Sequence, residues 1–233
     1  MNEFEIESGV YFDLASLYLD SLLMVQSKTA SKIIINAVEQ GVAIKDIYIY
    51  VFEPCQHEIG RLWQTNQITM YQEHFCTAAT QNIMTQLYPH IFQSEKNGHK
   101  LVATCVNGEI HEMGIRMVSD LFEIEGWDTY YLGADIPTES ILKTLEQIKP
   151  DILAISISMA FNIRSVVELI NKIKENPEYS DMKIMVGGRP FIISPYLWKK
   201  VGADGSATNA VEAITLANKL ILENTTSEEF HVK

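Results

Sequence analysis

Near residue 93 the hydrophobic pattern of this chain changes its period, and that change sets the architecture. From 11 to 92 the apolar residues recur at helical spacing. FDLASLYLDSLLMV reads as one helix. SKTASKIIINAVEQG reads as a second, with Thr29 or Ser31 as its N-cap and Gly41 closing it. IKDIYIYVFEPCQHEIGRLW is a third that Pro54 bends or breaks, and TMYQEHFCTAATQNIMTQLY is a fourth. The polar stretch QSEKNGHK follows. Beyond it, short β-branched runs alternate with helical patterns: LVATCV, WDTYYLG, DILAISIS, KIMVGG and ADGSA each precede a helix. Most of these runs are nearly all apolar, as strands buried on both faces of a parallel sheet are. The expected organisation is an all-α helical bundle over 1–92, a linker at 93–100, an α/β domain over 101–225 and a flexible tail at 226–233.

Composition narrows the function. The 233 residues carry 18 Lys+Arg against 30 Asp+Glu, a net charge of −12. A nucleic-acid surface needs clustered cations to replace condensed counterions, so neither nucleic acid nor an anionic membrane is an expected partner. The three cysteines, Cys55, Cys76 and Cys105, form no CxxC pair and read as small buried hydrophobes in a reducing compartment. The N-terminal MNEFEIESG has no basic and apolar signal pattern, and no apolar run reaches the ~20 residues that span a bilayer. The expected location is cytoplasmic.

In a doubly wound sheet, ligands bind outside the carboxyl ends of the strands. The common tenants of such sheets leave traces that are missing here. The first turn has neither GxGxxG nor GxxxxGK[ST]. The third strand ends in hydroxyls rather than the carboxylate of a phosphoryl receiver. HEMGI and HEIGR both fail HExxH, and there is no GxSxG.

The strand ends offer something else. The first turn, VNGEIHEMG, holds Glu109, His111 and Gly114. The third strand end holds Ser156 and Ser158, the fourth Gly187 and Gly188, the fifth Gly205, Ser206 and Ala207. Small residues at three neighbouring strand ends leave a slot, with one imidazole at its mouth. A ligating histidine commonly donates its other ring N–H to a carboxylate, and Glu109 stands two residues away. One histidine does not hold a free metal ion, so a metal here arrives already chelated, as in a metallated macrocycle with a tail.

GExHxxG in the first turn, a serine in the third strand and GG after the fourth resemble the cobalamin-binding domain of B12-dependent methyltransferases, mutases and light sensors, over roughly 100–220. The resemblance implies a flavodoxin-like, Rossmannoid five-stranded sheet. It implies His111 as the lower axial cobalt ligand, displacing the cofactor's own base, with Glu109 hydrogen-bonded to it. It implies that Ser156 and Ser158 contact the benzimidazole and that Gly187 and Gly188 let the tail pass close to backbone. Two departures stand out: Glu109 replaces the usual Asp, and Ser156-Ile157-Ser158 replaces serine-x-leucine.

In the helical half, WQTNQITMYQEH places Trp63 nine residues before the Glu73–His74 pair. This Wx9EH pattern, and Glu at 109, resemble the light-sensing B12 regulators. There the bundle caps the upper face of the corrin, the tryptophan packs over the upper ligand, and Glu73 and His74 would supply polar contacts. The resemblance therefore implies a cobalamin photoreceptor or sensor that is not itself an enzyme. It would carry adenosylcobalamin or methylcobalamin and signal through an unknown downstream protein or through self-association as a homo-oligomer. The alternative is a corrinoid methyl-carrier protein serving separate methyltransferases. B12 storage, or a second chromophore such as a bilin, stays open. The plainer alternatives are a turn histidine at 111, a packing aromatic at 63, a solvated face at 73–74, helix-capping serines at 156 and 158, and a simple turn at 187–188.

Overall fold

A computed structural model describes residues 10–231. The chain divides into two compact units, Met1–Gln93 and Ser94–Lys233.

The first unit is helical: α1 (Phe12–Leu23), α2 (Ser27–Glu39), α3 (Ile44–Ile47), α4 (Glu53–Gln64) and α5 (Met70–Ile91). Tyr18, Leu22, Ile34, Ile47, Phe52, Ile83 and Leu87 are fully or almost fully buried between them. Polar atoms in that core find partners: the Tyr18 hydroxyl lies 2.7 Å from Thr80 Oγ1, and the Cys55 thiol donates to Ala15 O. α2 starts earlier than expected, at Ser27, with Gln26 preceding it. Ser31 is therefore no cap, and its hydroxyl reaches Gln86 on α5 instead. Gly41 does sit beyond the helix end, at φ 91°, where a side chain would be strained. Pro54 lacks the N–H that would close the next α-turn. Immediately before it the chain widens into a π-turn over Tyr48–Phe52, and the helical path continues as α4 rather than breaking. Thr69 and Gln72 cap α5 reciprocally, which fixes where it starts.

The second unit runs β1 (Lys100–Val106), α6 (Met113–Ile124), β2 (Asp128–Ile136), α7 (Thr138–Ile148), β3 (Ile152–Ser156), α8 (Ile163–Lys174), β4 (Lys183–Gly187), α9 (Arg189–Ile193), α10 (Leu197–Val201), β5 (Gly205–Ala207) and α11 (Ala210–His231). All pairings are parallel, in the order β2-β1-β3-β4-β5. That is the doubly wound, flavodoxin-like arrangement, with its topological switch between β1 and β3. Val102, Leu153, Ile155, Ile184 and Val186 pack against Ile141, Leu145, Val166, Leu169 and Ile170 in one core cluster. β2 departs from the expected apolar run. It is the edge strand, part-exposed along its length, so its tyrosines, threonine and aspartates are tolerated.

The polar segment 93–100 joins the units, but from Ser94 onward it is fastened to the second. The Ser94 hydroxyl donates to Ile124 O, the Asn97 N–H donates to Gly126 O, and the Lys96 ammonium bridges the buried Glu123 and the Trp127 carbonyl. At the other end, α11 continues as helix through His231, across the start of the expected frayed tail, because no glycine or proline after Gly205 stops it. Residues 1–9 and 232–233, which the expected bundle and tail include, lie outside the described residues. Among the described residues no helix is long and apolar enough to cross a membrane.

Candidate functional site

The turn after β1 carries its chemistry at the switch crevice, where the loops after β1 and β3 part. Glu109 is at its centre. Its side chain is wholly buried, yet it carries a charge, and the reason is its set of donors. Oε1 accepts the His111 backbone N–H at 2.9 Å and lies 2.6 Å from His111 Nδ1. Oε2 accepts the N–H groups of Ser158 and Met159, at 2.8 and 3.1 Å, and Nδ2 of Asn162 at 2.9 Å. Burial alone would push the Glu109 pKa up. Donation from His111, Asn162 and Met159 outweighs it and holds the carboxyl at about 2.

This fixes the histidine. An ionised carboxylate only accepts, so Nδ1 carries a proton, and in the neutral ring the lone pair is on Nε2. The imidazole is 49% exposed, so that lone pair is accessible from solvent. A third anchor comes from beneath, where the Cys105 thiol donates to the His111 carbonyl at 3.7 Å. Burial pushes that thiol up to about 12, so it keeps its proton. Cys105 is thus more than the inert filler its composition suggests. Among the described residues no three His, Cys, Asp or Glu side chains converge as a metal set, so a metal held at Nε2 brings its remaining ligands with it.

The strand ends behave unequally. Cys105, Ser156, Gly187 and Ala207 stand side by side across β1, β3, β4 and β5, and the last three are part-exposed. This is the row of small residues expected to line a slot. Gly114 belongs with it, since a Cβ there would meet no protein atom within 4 Å. No protein atom demands a glycine at that helix start, which leaves open space beside it.

Gly188 and Gly205 have reasons inside the protein. A Cβ on Gly188 would lie 2.1 Å from the Ile157 carbonyl oxygen, and its φ is +96°. At Gly205 a Cβ would press on Leu216 of α11 at 2.8 Å. Ser158 acts through its backbone N–H on Glu109, and neither it nor Ser156 caps α8. In the residues present, the fit to a tailed, chelated metal therefore rests on His111, Glu109, Gly114 and the row through Ser156, Gly187 and Ala207.

The helical unit's candidates are tied less firmly. Trp63, on α4, is 44% exposed. Glu73, on α5, accepts the Thr77 hydroxyl at 3.1 Å. His74 is 70% exposed and its Nε2 is 3.5 Å from Glu73.

Three residues at the crevice escaped the sequence reading. Asn162 bonds both Glu109 and the Gly108 carbonyl. Asp135 accepts the Gly108 N–H at 2.7 Å, and the Tyr131 hydroxyl donates to Glu112 at 2.7 Å. Asn162 is a polar residue 4% exposed, but that signal exists only in the folded chain.

Comparison with known proteins agrees with this geometry. A family profile described as "B12 binding domain" matches residues 99–215, and a second with the same description matches 14–88, in the helical unit. A "Dimethylamine corrinoid protein 3" of Methanosarcina mazei is 29% identical over 141 residues, 60% of this chain and 82% of that protein. A "Dimethylamine corrinoid protein 2" of Methanosarcina acetivorans is 27% identical over 172 residues, 71% of this chain and 77% of that protein. The solved monomethylamine corrinoid protein of Methanosarcina barkeri shares the fold, with a TM-score of 0.79 at 23% identity, covering 91% of this chain and all of that one.

Proposed function

This chain belongs to the B12-binding domain family and binds cobalamin, and from that premise we propose that it is a corrinoid methyl-carrier protein: a non-enzymatic subunit that exchanges methyl groups with separate methyltransferases. The observation that carries this reading is the half-exposed His111 imidazole held at 2.6 Å by the buried Glu109 carboxylate, in a chain similar along 71% of its length to a dimethylamine corrinoid protein.

When bound, cobalamin supplies a cobalt centre that accepts a methyl group and gives it up. This chain's residues do the rest. Glu109 stays ionised and holds a proton on His111 Nδ1, so Nε2 of the neutral ring would be the atom offered to the cobalt. The row of Ser156, Gly187 and Ala207 would line the place for the cofactor's tail, and the open space at Gly114 would leave room beside the start of α6. Trp63, Glu73 and His74 of the helical unit would supply an aromatic face and polar contacts, as the resemblance implies.

The light-sensing reading rested on Glu at 109 and on the Wx9EH spacing. Neither outweighs similarity to proteins named for methylated amines. Glu109 also reaches its partners as a glutamate here, because the longer side chain spans from the turn to the Ser158 and Met159 amides. The partner fitting this function is a methyltransferase acting on a methylated amine.

The test reconstitutes the full chain with hydroxocobalamin, reduces it, and adds a methylamine methyltransferase with its methylamine. The expected result is the spectrum of bound methylcobalamin, formed at a rate that depends on the enzyme. No methyl transfer, together with a change of hydrodynamic size on green illumination of the adenosylcobalamin form, would reverse the assignment in favour of a sensor.

A further inference from the structure

Strand β2 pairs with β1 in a register that slips twice. The second slip falls between Thr104↔Gly133 and Val106↔Ile136, so β2 spends one more residue than β1 over that step. Such bulges re-aim side chains near functional sites. Here Asp135 lies in the bulge, with φ 53°, a left-handed backbone that costs a non-glycine residue energy. The side chain is exposed, so core packing does not explain the strain.

The geometry gives a reason. The Asp135 N–H donates to the Glu109 carbonyl at 2.8 Å, and its Oδ1 accepts the Gly108 N–H at 2.7 Å. Asp135 therefore grips both ends of the Gly108–Glu109 dipeptide, just before the histidine. Gly108 is itself at φ +86°, so this turn is not one that an unconstrained chain favours. Beyond the histidine, Tyr131 of the same strand holds Glu112.

Resting on the cobalt-ligand reading of His111, we propose that Asp135 is a positioning residue for that ligand: the β2 bulge delivers it to lock the backbone that aims Glu109, and through Glu109 the imidazole. Three substitutions separate its two features. Asp135→Asn keeps an acceptor oxygen and tolerates left-handed backbone. Asp135→Gly accepts that backbone without strain but has no acceptor. Asp135→Ala has neither advantage.

The full-length variants are reconstituted with hydroxocobalamin and read by visible spectrum and by dissociation constant. Asp135→Asn is expected to stay within about twofold of the wild type. Asp135→Gly and Asp135→Ala are expected to bind roughly tenfold more weakly, the low end of what support of a metal-binding histidine is worth, and to lose part of the histidine-ligated spectrum. In a His111→Ala background, Asp135→Ala is expected to add nothing further, whereas a general folding defect would still add its full loss. Wild-type spectra and affinity in the Gly and Ala variants, or an equal loss in both backgrounds, would overturn the proposal. A wild-type protein with no histidine-ligated spectrum would overturn the ligand reading itself, and is told apart because it needs no variant.

Discussion

The His111 turn and the positions Trp63, Glu73 and His74 both supply candidate site residues, but they are held differently. In the turn, one fully buried carboxylate collects five donors from three segments of chain. In the helical unit, a tryptophan 44% exposed and a histidine 70% exposed stand on α4 and α5. The first site is built before any ligand arrives, because an unpaired buried carboxylate would cost too much to tolerate. The second leaves its side chains adjustable. Preorganisation belongs to the His111 turn, adaptability to the residues of the helical unit.

The most severe way to break this contrast is Glu109→Ala. It strips the acceptor from the Ser158 and Met159 amides and from Asn162, and is expected to cost about 3 kcal/mol or more in urea denaturation of the apo protein. Retained stability would show that the donors find other partners and that the turn is not preorganised. The charge has its own signature. A folded pKa of about 2, below the ordinary 4.5, means the native state binds this proton less readily than the unfolded chain. Its contribution is present above about pH 4.5 and is lost as pH falls toward 2, so Glu109→Gln is expected to be less stable at neutral pH yet to show a shallower acid decline over that window.

Gly188→Ala comes next, at roughly 2–4 kcal/mol, since the added carbon would collide with the Ile157 carbonyl at a positive φ. Its loss is expected in apo stability, measured by thermal melting. Gly114→Ala sharpens the contrast by reversing the sign. With open space around it in the first turn of α6, alanine is expected to raise apo stability by about 0.5–1 kcal/mol while weakening cobalamin binding in absorbance titration. An unchanged affinity would mean that the space at Gly114 is not used by the cofactor.

The smallest effect is assigned to Trp63→Ala. A part-exposed side chain at the end of α4 is expected to cost under about 1 kcal/mol in apo melting. A large loss would mean that Trp63 is structural, and that the helical unit's candidates are as firmly built in as the turn.

Much of this could be read along the chain. The change from helical period to alternating strand and helix set the two halves, because burial imposes its period on each element directly. The Glu109–His111 pair was legible for a similar reason, since two residues within one turn meet whatever the rest of the fold does. Thr29 and Ser31 misled because capping preference is weaker than the packing that starts α2 at Ser27. Gly188 and Gly205 have a need for room within the protein, against Ile157 and Leu216, and a glycine looks the same in sequence whether a ligand or a neighbouring loop or helix needs that room. Asn162 and Asp135 could not be read at all. They lie 53 and 27 residues from the atoms they bind, and nothing local marks them.

By itself, then, the sequence determined the class of fold and the pairing of Glu109 with His111, both of which follow from local pattern and short-range chemistry. Only the tertiary structure decided which partners keep Glu109 charged and hold the turn in place. Those bonds exist only once β1 has paired with β2 on one side and β3 on the other, because it is the register of the sheet, including the bulge at Asp135, that brings the distant donors and acceptors within reach.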